Sequence, residues 1–567
     1  MKLIMYTSKA LMASLLRILL LLLFLLVGHC RGLSTPKAVS TQVDSSSTAP
    51  CPHYKWLIVG GGIHGVGIAA RLVGEGKIDS KSQKNNQLLV VDEHPSLLYS
   101  WKERTKSVGM AFLRSSAGFH LDLPAKGLQE FAGEYHQHVV MGKNNEIIPT
   151  KTPRRNKKQS KKDLRKAKNN RNKKVGESFV GSDYQRPSLE LFNDHCDLVV
   201  DKYKLNDYFY RGRVESIFCS NNNSSGDDRV EPARLAIRCN DDAQTTKIVS
   251  ADNIVLAVGN DDPLYPEWAT DLMATNNNKG NENHKISHLL QISSDENVKE
   301  VDSVNDDDDD NDSSQNGDKV VVIVGGGISA VHKALQLTSV DNINNNKNKT
   351  SKQNKSLVHI VSRHSLREQQ FDTHQDWMMT QELAQRSTES GGSGLTKKLK
   401  EFQTIQAPQD RREVIKKERV PGTVPAYMSR GRGGLEEAVA CGKIHWHVAG
   451  VVSANETTNG KYQLRLDNGQ DIAADEIILA TGLGKRPPGF SIVNPLADET
   501  GLPLSPCGYP LVTPSLEWKL LESESSSGTS SKIFVAGGLA ELELGPSARN
   551  VAGARMAAER IAAAAGV

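Results

Sequence analysis

An α/β fold is predicted by two stretches of the sequence, each an apolar run that passes through a glycine-rich loop straight into a helix-spaced pattern. They are Trp56 to Leu72, WLIVGGGIHGVGIAARL, and Val320 to Ala330, VVVIVGGGISA. A buried parallel strand needs a continuous apolar run, and a helix laid back on it needs apolar residues at 3.6-residue spacing. Strand, tight turn and helix therefore follow one another in both stretches. Two further apolar runs, Asp252 to Gly259 and Asp475 to Gly482, end in glycine and read as additional buried strands. The expected architecture is two Rossmann-like units, the first discontinuous and the second inserted into it.

In the first loop Gly60, Gly62 and Gly65 have the spacing G-x-G-x-x-G. The first glycine makes the turn, the second lets backbone approach a pyrophosphate, and the third lets helix pack on strand, with the diphosphate at the helix N-terminus. The next apolar run, Leu88 to Val91, ends in Asp92-Glu93. A carboxylate there accepts hydrogen bonds from ribose hydroxyls and repels a 2′-phosphate, so this loop favours FAD or NAD over NADP. A polar segment, Asp79 to Gln87, is inserted before that strand.

The second loop, with Gly325, Gly327 and Ala330, is G-x-G-x-x-A, and its partner strand Leu357 to Val361 ends in Ser362-Arg363-His364 with no acid. A guanidinium where the 2′-phosphate lies reads as an NADPH site. Opposite second-strand chemistry after two such loops implies two dinucleotides in one chain. The economical account is a flavin that takes hydride from NADPH, with the protein supplying orientation.

Between and beyond the loops, Ser100 to Pro124 has no clean periodicity and reads as a long functional loop. Trp101 and Arg104 are its candidate cofactor contacts, and Arg114 and His120 its candidates for orienting substrate or cofactor in catalysis. Leu189 to Val200 has helical spacing. Val214 to Cys219, Arg234 to Cys239 and Lys247 to Val249 read as an antiparallel meander. Asp475 to Gly482, with Thr481 and Gly482 at its tip, is expected to return to the flavin unit. Lys532 to Gly538, with Gly537, is a last strand. Gly545 to Asn550 then leads into an Ala-rich helix, Val551 to Ala565. Ala548, Arg549 and Asn550 would put that helix N-terminus, and its partial positive charge, beside a reduced flavin.

A chain of 567 residues is long enough for two to three domains. The boundaries expected are a signal peptide, 1–32; a Ser/Thr-rich linker or transit segment, 33–54; the first part of an FAD domain, 55–265, with a basic insert at about 150–178; a polar and acidic linker, 266–317; an NAD(P)H domain, 318–455, with an Asn-rich insert at about 341–356; and the remainder of the FAD domain, 456–567. Lys2 and Lys9 precede an apolar run, Ile18 to Val27, that suits a signal-peptide core and is shorter than the roughly 20 residues of a spanning helix. Entry into the secretory pathway is therefore expected, ending in the ER lumen or in a plastid-like organelle reached through it, with no stable membrane span beyond the signal. A net charge of +4 gives no general attraction to nucleic acid, and the basic run Lys151 to Lys174 carries no aromatic residues to stack on bases. The seven cysteines form no C-x-x-C, which implies neither a metal site nor a dithiol reductase.

GGGIHG with Asp92, GGGISA with Arg363, and Asp475-x-x-x-Leu479-Ala480-Thr481-Gly482 together resemble the two-dinucleotide-binding flavoprotein superfamily. The resemblance runs from about Lys55 to Ile561 outside the inserts. It is strongest to the class B flavin monooxygenases that include the lysine/ornithine N-hydroxylases. It implies FAD held at Gly60, Gly62, Gly65 and Asp92, NADPH at Gly325, Gly327, Ala330 and Arg363, and a flavin hydroperoxide that oxygenates a small nucleophile such as an amine at the expense of O2. Leu483 stands where the N-hydroxylase signature has Tyr, and no F-x-G-x-x-x-H motif is present. An NADPH-driven reductase or oxidase without oxygenation, and a non-enzymatic redox sensor, are the alternative functions.

Overall fold

The structure is a computed structural model and describes residues 51–78, 86–134, 139–141, 147–149, 186–218, 231–239, 245–259, 262–277, 285–292, 319–338, 356–378, 396–430, 433–484, 486–519 and 530–565. The signal-peptide and transit expectations up to residue 50, the basic insert, the acidic run 306–312 and the Asn-rich stretch 342–348 lie outside the described residues.

The chain enters through β1 (His53–Val59), turns at the first glycine loop into α1 (Ile63–Gly74), and comes back as β2 (Leu88–Asp92) parallel to β1, with Trp56 opposite Leu88. Trp56 to Val59 are all buried, as a strand covered on both faces requires. The segment expected to be one long loop instead opens with a helix, Tyr99–Val108. Only Thr105 and Val108 of that helix are buried, so it carries no apolar stripe for the sequence to reveal.

The meander forms as β3 (Phe209–Phe218), β4 (Arg234–Cys239) and β5 (Thr246–Leu256). Its third strand and the buried strand after it are one continuous element. The first part of β5 pairs antiparallel with β4 (Lys247 opposite Ile237), while Ser250 to Leu256 run parallel to β1.

The chain then leaves this sheet. A helix, Glu267–Asn277, leads to β6 (Ile286–His288), and the second glycine loop joins β7 (Lys319–Val324) to α2 (Ile328–Thr338). After β8 (Ser356–Ser362) and β9 (Ile444–Val448) comes an antiparallel meander of β10 (Val451–Glu456), β11 (Tyr462–Leu466) and β12 (Asp471–Ala474), and then β13 (Glu476–Leu479). The parallel sheet has the order β9-β8-β7-β13-β6. One face packs on Ala330, Val331 and Ala334 of α2, and the other on Leu464 and Leu466 of the meander.

Two boundaries differ from expectation here. β6 lies inside the stretch read as a linker, and β13 pairs with β7 (Ile477 opposite Val322) rather than returning to the first sheet. An apolar run ending in glycine suits an inner strand of either parallel sheet, so pattern alone cannot choose between them. The second unit therefore continues past residue 455 to the crossover after Leu479.

The return is made by β14 (Lys532–Val535), which pairs with β5 (Ile533 opposite Ile254), and by α3 (Val551–Ala564). α3 packs on α1, and small residues in both, Ala69 and Ala70 with Ala554, Ala557 and Ala558, let the two backbones come close. Among the described residues no helix is long and apolar enough to cross a membrane.

Candidate functional site

The three glycines of the first loop have three different surroundings. Gly60 has φ +108° and donates its N–H to Val91 O at 2.8 Å, and a Cβ there would sit 2.3 Å from Ala257 O. A Cβ on Gly65 would sit 1.8 Å from Gly60 O, which fixes how closely α1 approaches the turn. A Cβ on Gly62 would meet nothing within 4 Å. Gly62 is also the N-cap of α1 and provides no side-chain partner, so the first helical N–H groups face open space where a pyrophosphate would fit.

Asp92 sits at the tip of β2 and is tied to this loop, with Oδ2 accepting from Gly61 N–H at 2.6 Å and Oδ1 from His94 N–H at 2.9 Å. On the other side, Gly537 brings the end of β14 to His64, where an added Cβ would lie 3.5 Å from the ring. Burial holds His64 near pKa 4, against an ordinary 6.5, so this wall of the cradle is neutral. The open helix end, the anchored acid and the bare backbone at Gly62 fit a dinucleotide such as FAD.

At the start of α3, Asn550 caps the helix by accepting from Gly553 N–H at 3.0 Å, and Ala548 is fully buried. Arg549 is committed to the protein: it donates to Glu541 Oε2 at 2.9 Å and to Tyr509 OH at 3.0 Å, while Arg412 pairs with the other Glu541 oxygen. A cofactor contact from this turn thus falls to its backbone and to Asn550 rather than to the Arg549 guanidinium.

The second loop repeats the tight turn at the first glycine of the first loop. Gly325 has φ +136°, and a Cβ there would sit 2.3 Å from Ala480 O; a Cβ on Gly326 would sit 2.1 Å from Ser362 Oγ; and Ala330 is fully buried. This loop opens on a cavity of about 1000 Å³ whose lining includes Gly327, Arg363, Arg114, Thr481, Gly482 and Asn550. The cavity therefore joins the second glycine loop to the N-terminus of α3 from the first unit. Arg363 is exposed within it, beside His364 and Arg367.

Thr481 and Gly482 lie at the crossover between the units. Thr481 Oγ1 donates to Leu264 O at 2.5 Å and lies 3.2 Å from His288 Nε2, and Gly482 takes φ +85°. Asp475, the first residue of the same signature, is an anchor: its Oδ2 accepts from Val320 N–H at 2.8 Å, and Oδ1 pairs with Lys461 at 2.9 Å.

Four sequence candidates have partners within the protein. Trp101 donates its indole N–H to Asn193 Oδ1 at 3.0 Å, and Arg104 donates to Leu290 O at 3.1 Å, which joins the helix Tyr99–Val108 to the second unit. Arg114 lines the cavity, yet its guanidinium is bound to Gln370 O (2.9 Å), Gln369 O (2.7 Å) and Thr423 Oγ1 (2.9 Å). His120 is not a catalytic candidate. It is fully buried outside the cavity lining, edge-on to His195 at 5.1 Å, with Nε2 placed to donate to Ala125 O at 3.2 Å. Burial and the nearby Arg555 cation hold its pKa far below the usual range, which keeps it neutral.

Residues of the cavity wall that sequence reasoning did not single out for the site include His364, Arg419 and the turn Val420–Thr423. The Pro421-Gly422 pair is a turn signal, but nothing local says what the turn lies against.

No protein-family model and no curated protein matches the chain. Solved structures do. An ornithine hydroxylase from Pseudomonas aeruginosa is 15% identical, with 90% of this chain and 98% of that one covered, at a TM-score of 0.55. An L-lysine 6-monooxygenase from Pseudomonas syringae is 15% identical, with 90% and 99% covered, at a TM-score of 0.50. The chain shares their fold. At this identity the likeness concerns architecture, and the chemistry has to be argued from the site.

Proposed function

We propose that the chain is an FAD- and NADPH-dependent monooxygenase that hydroxylates a small amine or a similar nucleophile. The observation that carries this reading is the single cavity lined by the second glycine loop, Arg363 and Asn550. A coenzyme seated on the second loop would share that space with the N-terminus of α3, where the flavin is expected. The fold shared with an ornithine hydroxylase and a lysine monooxygenase supports the amine as substrate class.

In this reading Gly60, Gly62, Gly65 and Asp92 hold FAD, and Gly325, Gly327, Ala330 and Arg363 hold NADPH. The flavin, when bound, supplies hydride acceptance and O2 activation. The chain's own residues bind, orient and shield. The first N–H groups of α1 and α2 would hold the two diphosphates. Asp92 selects ribose hydroxyls at the first site, and Arg363 selects a 2′-phosphate at the second. His64 is held neutral by burial and Ala548 is fully buried, so neither adds a charge at the flavin side of the cradle. An N-terminal signal peptide and entry into the secretory pathway belong to the same proposal, on the sequence of the first 32 residues.

The test is NADPH consumption with a panel of small amines, with hydroxylated product measured by mass spectrometry alongside released peroxide. Product formed in proportion to NADPH supports the proposal. Peroxide as the sole product with every amine would assign the chain to the oxidase class.

A further inference from the structure

We propose that the turn Val420–Thr423 forms one edge of the slot that takes the coenzyme diphosphate at the second glycine loop, and that Arg114 holds this edge in place from the first unit. The inference rests on the reading of that loop as the NADPH site.

The two loops differ at their middle glycine. Gly62 faces nothing within 4 Å, whereas a Cβ on Gly327 would lie 3.4 Å from the Cα of Gly422. Two glycines thus meet backbone to backbone where the fold brings a diphosphate to the start of α2. Gly422 has φ +70°, which disfavours any side chain, and a Cβ there would lie 3.1 Å from His364 Nε2. The slot edge is therefore bare backbone, and its position depends on what holds the turn.

The turn is held on both flanks by the segment that follows Arg363. Val420 N–H donates to Asp372 O at 3.2 Å, Val424 N–H to Arg367 O at 2.8 Å, and Gln369 N–H to Val424 O at 3.0 Å. Arg114 fastens the two strips together, since one guanidinium reaches Gln369 O, Gln370 O and Thr423 Oγ1. Thr423 is 3% exposed and its hydroxyl donates to Val420 O at 3.3 Å, so loss of this fork leaves that buried hydroxyl without the donor that ties the turn to the neighbouring strip. Arg114 is accordingly a positioning residue: its Nε and Nη2 groups donate to protein acceptors, and through them it acts on the coenzyme by way of the turn.

The experiment compares two ligands on the FAD-loaded full chain, by equilibrium binding. NADP⁺ carries both the diphosphate and the 2′-phosphate, while adenosine 2′-monophosphate carries only the latter. Arg114→Ala is expected to raise the Kd for NADP⁺ about tenfold, and the near-isosteric Thr423→Val about threefold, with the Kd for adenosine 2′-monophosphate within about twofold of wild type in both. Flavin content per chain reports that the first unit stays folded, and Thr423→Val decides the matter if Arg114→Ala does not fold. Equal weakening of both ligands, or no change for NADP⁺, overturns the proposal. Wild type that binds neither ligand overturns the NADPH reading and the proposal with it, whereas Arg363→Ala weakening both ligands upholds that reading independently of the turn.

Discussion

Gly62 and Gly65 lie three residues apart in one loop, and the structure gives them opposite consequences on substitution. A Cβ at Gly65 would sit 1.8 Å from the carbonyl oxygen of Gly60, a backbone atom that cannot move without opening the turn. Gly65→Ala is therefore expected to destabilise the folded chain by about 3 kcal/mol or more, the upper range for overpacking. At Gly62 the backbone is extended, with φ −78° and ψ −166°, and the built Cβ meets nothing within 4 Å. Gly62→Val should cost the FAD-free chain only about 1 kcal/mol, as a poorer N-cap. The same side chain would occupy the space where a pyrophosphate approaches the helix, so FAD affinity should fall by about a hundredfold or more, a loss of roughly 3 kcal/mol. Flavin absorbance per polypeptide and the denaturation midpoint of the FAD-free proteins read the two effects separately. Gly62→Val carrying a full complement of FAD, or unfolding as readily as Gly65→Ala, would refute the assignment of this loop.

Arg363→Ala should raise the KM for NADPH roughly tenfold with little change for NADH, the lower end of what a charged hydrogen bond contributes, since Arg363 is exposed in its cavity. Steady-state kinetics with the two coenzymes check this, and an equal effect on both would remove Arg363 from phosphate recognition. His120→Gln should lower the melting temperature yet leave kcat within about twofold, because His120 serves packing and not the cavity; a folded variant without turnover would restore it as a catalytic candidate. His64, His195 and His332 are each held near pKa 4 by burial, below their ordinary 6.5, so the unfolded chain takes up these protons more readily than the folded one. Their contribution is complete above pH 6.5 and is lost as pH falls toward 4, with a slope of up to about 1.4 kcal/mol per pH unit for each histidine. Chemical denaturation at pH 7, 6 and 5 measures that slope, and stability constant across this interval would contradict the burial of these rings.

Much of the fold was legible because the two glycine loops impose their own local geometry. An apolar strand, three small residues at fixed offsets and a helix start admit few other arrangements, and β1 with α1 and β7 with α2 follow them closely. What stayed hidden depends on tertiary pairing. β13 carries the same apolar pattern as β5, and only its partners Val321 to Val324 assign it to the second sheet. The helix Tyr99–Val108 buries two residues and so offers no periodicity to read. Within the site, the glycines and Asp92 could be located because their chemistry is tied to a short motif. Arg114 could be singled out but not understood, since its acceptors lie 255, 256 and 309 residues further along the chain. His120 drew attention as a titratable group in an irregular stretch. Its burial against His195 places it in the core instead.

The most direct test of two dinucleotides acting in one chain is to purify the protein, quantify its flavin, and follow the flavin absorbance on anaerobic addition of NADPH or NADH. The expected result is a yellow protein with about one FAD per chain, in keeping with one flavin-type loop, bleached faster by NADPH than by NADH. A colourless protein that takes up no FAD on reconstitution, or a bound flavin that neither coenzyme reduces, would contradict it.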